Sequence, residues 1–161
     1  MLFRSKGGVQ QAVWRNWESW ISEIVADLWS VATLGISSTL GLLAVVSLPR
    51  FFVFRPSGDD PHPIPYVRVL LSCALGEALY PHPQWAQMRE AWKALNPVEG
   101  LPPARRQELA AIEAGIPAFV RALLGHRSPA LAGRTLREAF PTHERTPARL
   151  TQLYDAWRGD V

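Results

Sequence analysis

Apolar residues recur at helical spacing from residue 10 onward. Over residues 10–34 they return every three to four positions, with no proline or glycine among them, which predicts one long α-helix. Gly35 follows, and glycine commonly ends a helix at this position. A second apolar segment, residues 36–48, predicts another helix that ends before Pro49, because proline cannot continue the backbone hydrogen bonding.

Residues 28–49 form a run of 22 positions without a charged side chain, long enough to span a bilayer as one helix. Arg50 and Arg55 follow the run, and serine and threonine side chains dilute its hydrophobicity. Two interpretations are open. Either a transmembrane helix passes straight through Gly35, or two buried helices meet there. In the second and favoured case, close backbone approach would be allowed by small residues: Gly35, Ser37, Ser38 and Gly41.

Three stretches in the middle of the chain and one near its end show the same helical periodicity. Residues 66–80, 84–95, 104–124 and 147–157 are each predicted to form a helix, and residues 135–140 a short helical turn. The side chains predicted to face the core are Val67, Leu70, Leu71, Ala74, Leu75 and Leu79; Trp85, Met88 and Trp92; Leu109, Ile112, Ile116, Phe119, Val120 and Leu123; and Leu150, Leu153, Tyr154 and Trp157.

Two segments between the second and third predicted helices have signatures of their own. The Phe-Phe-Val-Phe sequence of residues 51–54 predicts a short extended piece packed on the core. Residues 55–65 include three prolines at alternate positions from 61 to 65, which predict a stiff, mostly extended loop. Such a loop would place the imidazole of His62 with little loss of entropy.

Together these elements predict a compact all-α domain of five to seven helices. Residues 10–95 form the helical core, and residues 96–161 a C-terminal helical segment of the same domain. Residues 1–9 are a disordered or non-native start: either the reading frame is truncated here, or the chain begins with a short disordered segment. The apolar pair Leu2-Phe3 is too short for the core of a signal peptide.

Composition and charge limit the function classes without selecting one. The net charge of +3 is small and the basic residues are scattered, so no nucleic-acid partner is expected. Cys73 is the single cysteine, which excludes an intramolecular disulfide and a zinc site built from cysteines. Its apolar neighbours predict a buried, inert thiol. The localisation stays open between the cytoplasm and a membrane.

The first predicted helix holds the most informative residues. Glu23 and Asp27 are four positions apart and therefore share one face, on a helix that is apolar nearly all round and so expected to be buried. A buried carboxylate is costly unless it is paired, hydrogen-bonded or bound to a metal. The spacing suits a metal ligand, Glu23, with Asp27 accepting a hydrogen bond from a histidine ligand. Pairing of both carboxylates with arginine or backbone groups is the alternative that spacing alone favours.

The sequence Glu-Ile-Val-Ala-Asp from Glu23 to Asp27 is followed by an apolar helix and then by His62-Pro63, with Arg68 six residues after the histidine. This arrangement resembles the gluzincin-type zinc metallopeptidases, in particular the membrane-associated group of the CAAX prenyl proteases and the heat-shock protease HtpX. The resemblance covers about residues 17–69. It implies that Glu23 is a zinc ligand and that Asp27 supports a ligand. It also implies that His62 and Arg68 are catalytic residues that position substrate or stabilise an oxyanion.

The chain departs from that group because it contains no His-Glu-x-x-His motif, the source of the first two zinc ligands. Residues 143–147 come nearest, with proline where the second histidine belongs. A catalytic zinc site needs three protein ligands, so this chain is expected not to bind zinc tightly and to be inactive alone. We therefore predict either a degenerate relative or the C-terminal helical portion of a metallopeptidase-like protein. In the second case the chain is a fragment of a larger zincin-like domain, with a missing N-terminal segment or a peptide substrate as its partner. A non-catalytic single-span membrane protein with a helical interaction domain is the alternative, and a helical scaffold with no site is the third interpretation.

Overall fold

The computed structural model describes residues 8–56 and 60–159, and these residues form nine α-helices and no β-strand. The prediction of an all-α fold is confirmed. The helices are α1 (Gly8–Ser19), α2 (Ile21–Leu34), α3 (Ile36–Val46), α4 (Arg50–Val53), α5 (Pro65–Leu79), α6 (Pro83–Leu95), α7 (Pro103–Gly125), α8 (Leu136–Ala139) and α9 (Pro147–Gly159). Helices α4 and α8 are single turns, and two 3-10 turns, Pro129–Leu131 and Thr142–Arg145, flank α8.

The predicted first helix is divided into α1 and α2 at Trp20. This residue has φ −94° and ψ 0°, a sparsely populated conformation between the helical and extended regions. Backbone hydrogen bonds of 3.0 Å nevertheless cross the junction, from the Trp20 N–H to the Asn16 carbonyl and from the Ile24 N–H to the Trp20 carbonyl. The prediction therefore missed a local distortion at Trp20. The helical pattern of backbone hydrogen bonds continues from α1 into α2.

Gly35 separates α2 from α3 through a positive φ of +59°, a conformation that glycine adopts at low cost. The predicted close backbone approach is wrong at the two glycines, because a Cβ built on Gly35 or Gly41 would meet no atom within 4 Å; the hydroxyl of Ser38 in α3 nevertheless reaches that of Ser30 in α2 at 2.8 Å. Along α3 only Thr39 and Val46 are buried, so the prediction that both helices are buried is wrong for α3. None of the helices in the described residues combines the length and the apolar character needed to cross a bilayer.

The core is built around α5, which packs against α2, α3, α6 and α7. Most α5 residues are buried, and the stripe predicted on α7 is buried in full. Helix α1 crosses α7 at Gly115, where a Cβ would lie 3.3 Å from Val13 Cγ1. The absence of a side chain at this residue therefore allows the two helices to approach closely.

Two other predictions are wrong. The Phe-Phe-Val-Phe segment is helical, not extended: α4 ends in it, with Phe51 and Phe52 exposed and the next two residues buried. The apolar stripe of α9 does not face the core, since α9 has no buried residue. This helix packs against the 3-10 turn that precedes it, and the four residues of its predicted stripe are 48–64% exposed.

Candidate functional site

Two carboxylates project from one face of α2 at the margin of the core. The side chain of Glu23 is 31% exposed and that of Asp27 16% exposed. Helix α2 is not buried all round as predicted, because Ile21, Val25 and Trp29 on its other side are exposed. Both carboxylates are therefore partly exposed. Another side chain can reach them, and only part of their surface contacts water.

Arg68, in the first turn of α5, lies between these carboxylates. Its Nε donates to Asp27 Oδ2 at 2.7 Å and its Nη2 to Asp27 Oδ1 at 2.8 Å, a two-pronged pair. The same Nη2 donates to Glu23 Oε2 at 3.4 Å. Such charge-assisted pairs are stronger than neutral hydrogen bonds, and this one joins α2 to α5.

The hydrogen bond with Asp27 raises the pKa of Arg68, against the smaller opposing effect of burial. A raised pKa on a cationic group means that its stabilising contribution is fully present below the ordinary arginine pKa and is lost only as the pH rises through the raised value. Arg68 therefore keeps its charge, and with it the pairing of α2 and α5, across the range in which proteins work.

His62 approaches Glu23 from the opposite side. Its Nε2 lies 3.6 Å from Glu23 Oε1, and its side chain is 49% exposed. The other ring nitrogen, Nδ1, lies 2.6 Å from Asp60 Oδ1. Glu23 therefore presents one oxygen to Arg68 and the other to His62, so it is the residue at the centre of the cluster.

Asp60 is a member of this site that the sequence did not single out. Its Oδ1 also accepts the backbone N–H of His62 at 2.9 Å, and its Oδ2 accepts Arg55 Nη2 at 2.7 Å. The backbone N–H and then the ring of His62 hold the pKa of Asp60 below its ordinary value. An aspartate two residues before a histidine in a proline-rich loop is a recognisable turn signal, and it could have been found by that criterion.

The loop that presents His62 is fixed at both described ends. On one side, Arg105 Nη2 donates to the carbonyls of Phe54 and Arg55 at 3.0 and 2.9 Å. On the other side, Pro63 and Ile64 are buried immediately before α5 begins. The predicted stiffness of this loop includes residues 57–59, which lie outside the described residues.

The structure thus brings together Glu23, Asp27, His62 and Arg68, as the resemblance requires. It departs in detail, because both oxygens of Asp27 accept from Arg68, whereas Asp27 was predicted to orient a histidine ligand. That role, and the roles of the other three residues, remain predictions.

The residues present would fill only part of a zinc site. Glu23 and His62 offer one carboxylate oxygen and one imidazole nitrogen that face each other. Within the described residues no group of three or more histidine, cysteine, aspartate or glutamate side chains is arranged to hold a metal ion. Because a catalytic zinc needs three protein ligands, any such ion would require further ligands from elsewhere.

Chemistry elsewhere in the described residues is of a different kind. Cys73 is buried as predicted, and burial raises the pKa of its thiol to about 12.

A cleft of about 400 Å³ lies between α5, α6 and α7, away from the four site residues. Two ion pairs lie at this cleft, Arg89 with Glu77 at 3.1 Å and Lys93 with Glu113 at 2.7 Å, and Arg121 also lines it.

No family model matches the chain, and comparison with curated proteins and with solved structures gives no significant match.

Proposed function

We propose that this chain is the C-terminal helical portion of a zinc metallopeptidase-like protein and supplies Glu23 as one zinc ligand. The observation that supports this most strongly is the convergence on Glu23 of two groups from α5 and the loop before it. Arg68 lies 3.4 Å from one carboxylate oxygen and His62 lies 3.6 Å from the other. The four residues of the resemblance are separated by up to 45 positions, and only folding makes them neighbours.

Each residue has a distinct part in this proposal. Asp27 fixes Arg68 through its two oxygens, and Arg68 in turn holds Oε2 of Glu23. Oε1 is then the oxygen of Glu23 that is available to a metal. A bound zinc ion would polarise a peptide carbonyl and lower the pKa of a bound water. His62 is the most exposed of the four, so it is the residue placed to contact a peptide substrate.

The chain is not active alone in this proposal. The other zinc ligands come from a His-Glu-x-x-His helix on a segment that packs beside α2. The exposed apolar side of α2, formed by Ile21, Val25 and Trp29, faces away from the two carboxylates. The segment with the histidines must therefore approach α2 from the side of Glu23, whose side chain is 31% exposed.

The coding sequence upstream of Met1 provides the test. We expect it to encode a His-Glu-x-x-His motif, and we expect the longer protein to bind one zinc ion and to cleave peptides. Glu23→Gln should lower the zinc affinity roughly 10-fold or more, as loss of ligands and of their supports does. Glu18→Gln, on the exposed side of α1, is the matched control and should leave the affinity unchanged. An upstream frame without the motif, or zinc binding that Glu23→Gln leaves intact, would overturn the proposal.

A further inference from the structure

Both carboxylate oxygens of Asp60 make hydrogen bonds, and one of these bonds involves the imidazole ring of His62. One oxygen, Oδ2, is held by Arg55 at 2.7 Å. The other, Oδ1, contacts both the backbone N–H and the ring Nδ1 of His62, at 2.9 and 2.6 Å. Arg55 therefore holds the Asp60 carboxylate independently of the imidazole, and the carboxylate in turn holds the ring of His62.

The hydrogen-bonding chemistry of the pair decides which ring nitrogen holds the proton. An ionised carboxylate only accepts hydrogen bonds, and a neutral imidazole has one donor nitrogen and one acceptor nitrogen. Nδ1 must then be the donor to Asp60, which leaves the lone pair on Nε2. This is the nitrogen that lies 3.6 Å from Oε1 of Glu23.

We propose that Asp60 is a positioning residue that fixes His62 in the tautomer protonated at Nδ1, so that the bare Nε2 is presented to the site at Glu23. Two acceptors, Nε2 and Oε1, then face each other at a distance that favours a shared donor or cation between them. A carboxylate that holds the far nitrogen of a histidine is the arrangement that orients the ring in metal and acid–base sites. The inference rests on the proposed function only in placing His62 at a reactive site.

The tautomer can be measured directly by ¹⁵N NMR of the metal-free chain, at a pH at which the imidazole is neutral. The chain has four histidines, and the loss of one set of resonances in His62→Gln assigns the ring. We expect Nδ1 of His62 to show the shift of a protonated nitrogen and Nε2 that of a bare nitrogen. In Asp60→Ala the proton should move to Nε2, the more common site in a neutral histidine side chain without such a partner.

Two further variants separate positioning from a merely structural turn. Asp60→Asn keeps an acceptor for the backbone N–H of His62 but offers the ring a group that donates as well as accepts, so we expect a mixture of the two tautomers. It also keeps the experiment decisive if Asp60→Ala fails to fold. Asp155→Asn, at an exposed position of α9, should leave the spectrum of His62 unchanged.

Two results would overturn the inference: a native His62 protonated at Nε2, or a tautomer that neither Asp60 variant alters. Because no zinc is present, this result is independent of the zinc-binding test of the proposed function. A native Nδ1–H tautomer combined with no His-Glu-x-x-His motif upstream would keep the role of Asp60 and reject the metallopeptidase assignment. The reverse combination would reject Asp60 alone.

Discussion

Arg68 contacts both carboxylates of α2, and this contact removes the conflict that the sequence presents. Glu23 and Asp27 carry like charges one helical turn apart, which is unfavourable for an isolated helix. The guanidinium lies within 3.4 Å of one and 2.8 Å of the other, so the cluster of three has one net negative charge instead of two. The pairing that spacing alone favoured is thus present together with the convergence that the resemblance implies.

Replacing Arg68 tests how much this pairing stabilises the fold. Loss of one partner from a fully buried pair costs roughly 3–5 kcal/mol, and exposed pairs contribute about 0–1 kcal/mol. Since the three side chains are 16–31% exposed, we expect Arg68→Met to lower the free energy of unfolding by about 1–2 kcal/mol, measured by urea denaturation. Adding Asp27→Asn should recover part of the loss.

Arg89 is the matched control for this experiment, because it pairs with the exposed side chains of Glu77 and Glu90. We expect Arg89→Met to change the free energy of unfolding by less than about 0.5 kcal/mol. An equal loss of unfolding free energy in the two arginine variants would show that the pairing at Asp27 stabilises the fold no more than an exposed ion pair does.

Cys73 has a thiol that burial makes unreactive. Only the thiolate reacts quickly with alkylating and disulfide reagents, and burial raises the pKa of this group to about 12. We expect Cys73 to react with Ellman's reagent at neutral pH only after the chain is unfolded in denaturant. Rapid reaction in the native state would show that α5 opens without global unfolding.

At the scale of helices, the crossing of α5 and α6 depends on one glycine. A Cβ on Gly76 would lie 2.3–2.5 Å from the indole of Trp85. That ring is buried and its Nε1 donates to the Tyr80 carbonyl at 2.8 Å, so it cannot move aside freely. Gly76 is therefore required for the packing that holds α6 on the core.

The pair of variants Gly76→Ala and Gly41→Ala tests this requirement. We expect Gly76→Ala to destabilise the protein by about 1–3 kcal/mol, the usual cost of overpacking. Gly41 lies within α3 with no atom near its Cβ position, so Gly41→Ala should instead stabilise by about 0.5–1 kcal/mol. Urea denaturation followed by tryptophan fluorescence measures the two effects, and the same sign for both would contradict the packing argument.

Helix α9 has an apolar stripe but no buried residue. Removing residues 147–161 should therefore shift the midpoint of thermal unfolding by less than about 2 °C, a change that corresponds to well under 1 kcal/mol for a chain of this size. Ile112→Ala, at a fully buried position of α7, should cost about 2–5 kcal/mol and serves as the comparison. A truncated chain as unstable as the Ile112 variant would show that α9 packs on the domain.

For the whole molecule, the ligand count predicts weak binding of zinc by this chain. Within the described residues, no group of three or more histidine, cysteine, aspartate or glutamate side chains is arranged to hold a metal ion, and a ligand stabilises a protein according to its concentration relative to its dissociation constant. We expect the unfolding temperature measured in micromolar zinc to equal the one measured in the presence of a metal chelator. Tight binding of one zinc ion per chain would contradict this count and would require ligands not seen together in the described residues.

The site was predictable from the sequence to a limited extent. The resemblance to the zinc metallopeptidases implied Glu23, Asp27, His62 and Arg68, and folding does bring these four residues together, while their roles stay predictions. The detailed pairing was not predictable: Arg68 reaches Asp27 across 41 positions, and nothing in local spacing says which acceptor a guanidinium will select. Asp60 was missed although its place two residues before His62 is a local turn signal; its simultaneous contact with Arg55 is seen only in the structure.

The sequence by itself determined the all-α fold, the break at Gly35, and the buried stripes of α5 and α7. These features follow from helical periodicity and from the backbone freedom of single residues, both of which are local. The tertiary structure alone decided which apolar stripes are covered. Helical periodicity predicts a core-facing stripe on both α7 and α9, yet only that of α7 is buried. Burial of a stripe depends on whether another element packs against it. The pairing at Glu23 likewise depends on how α5 and the loop before it pack against α2.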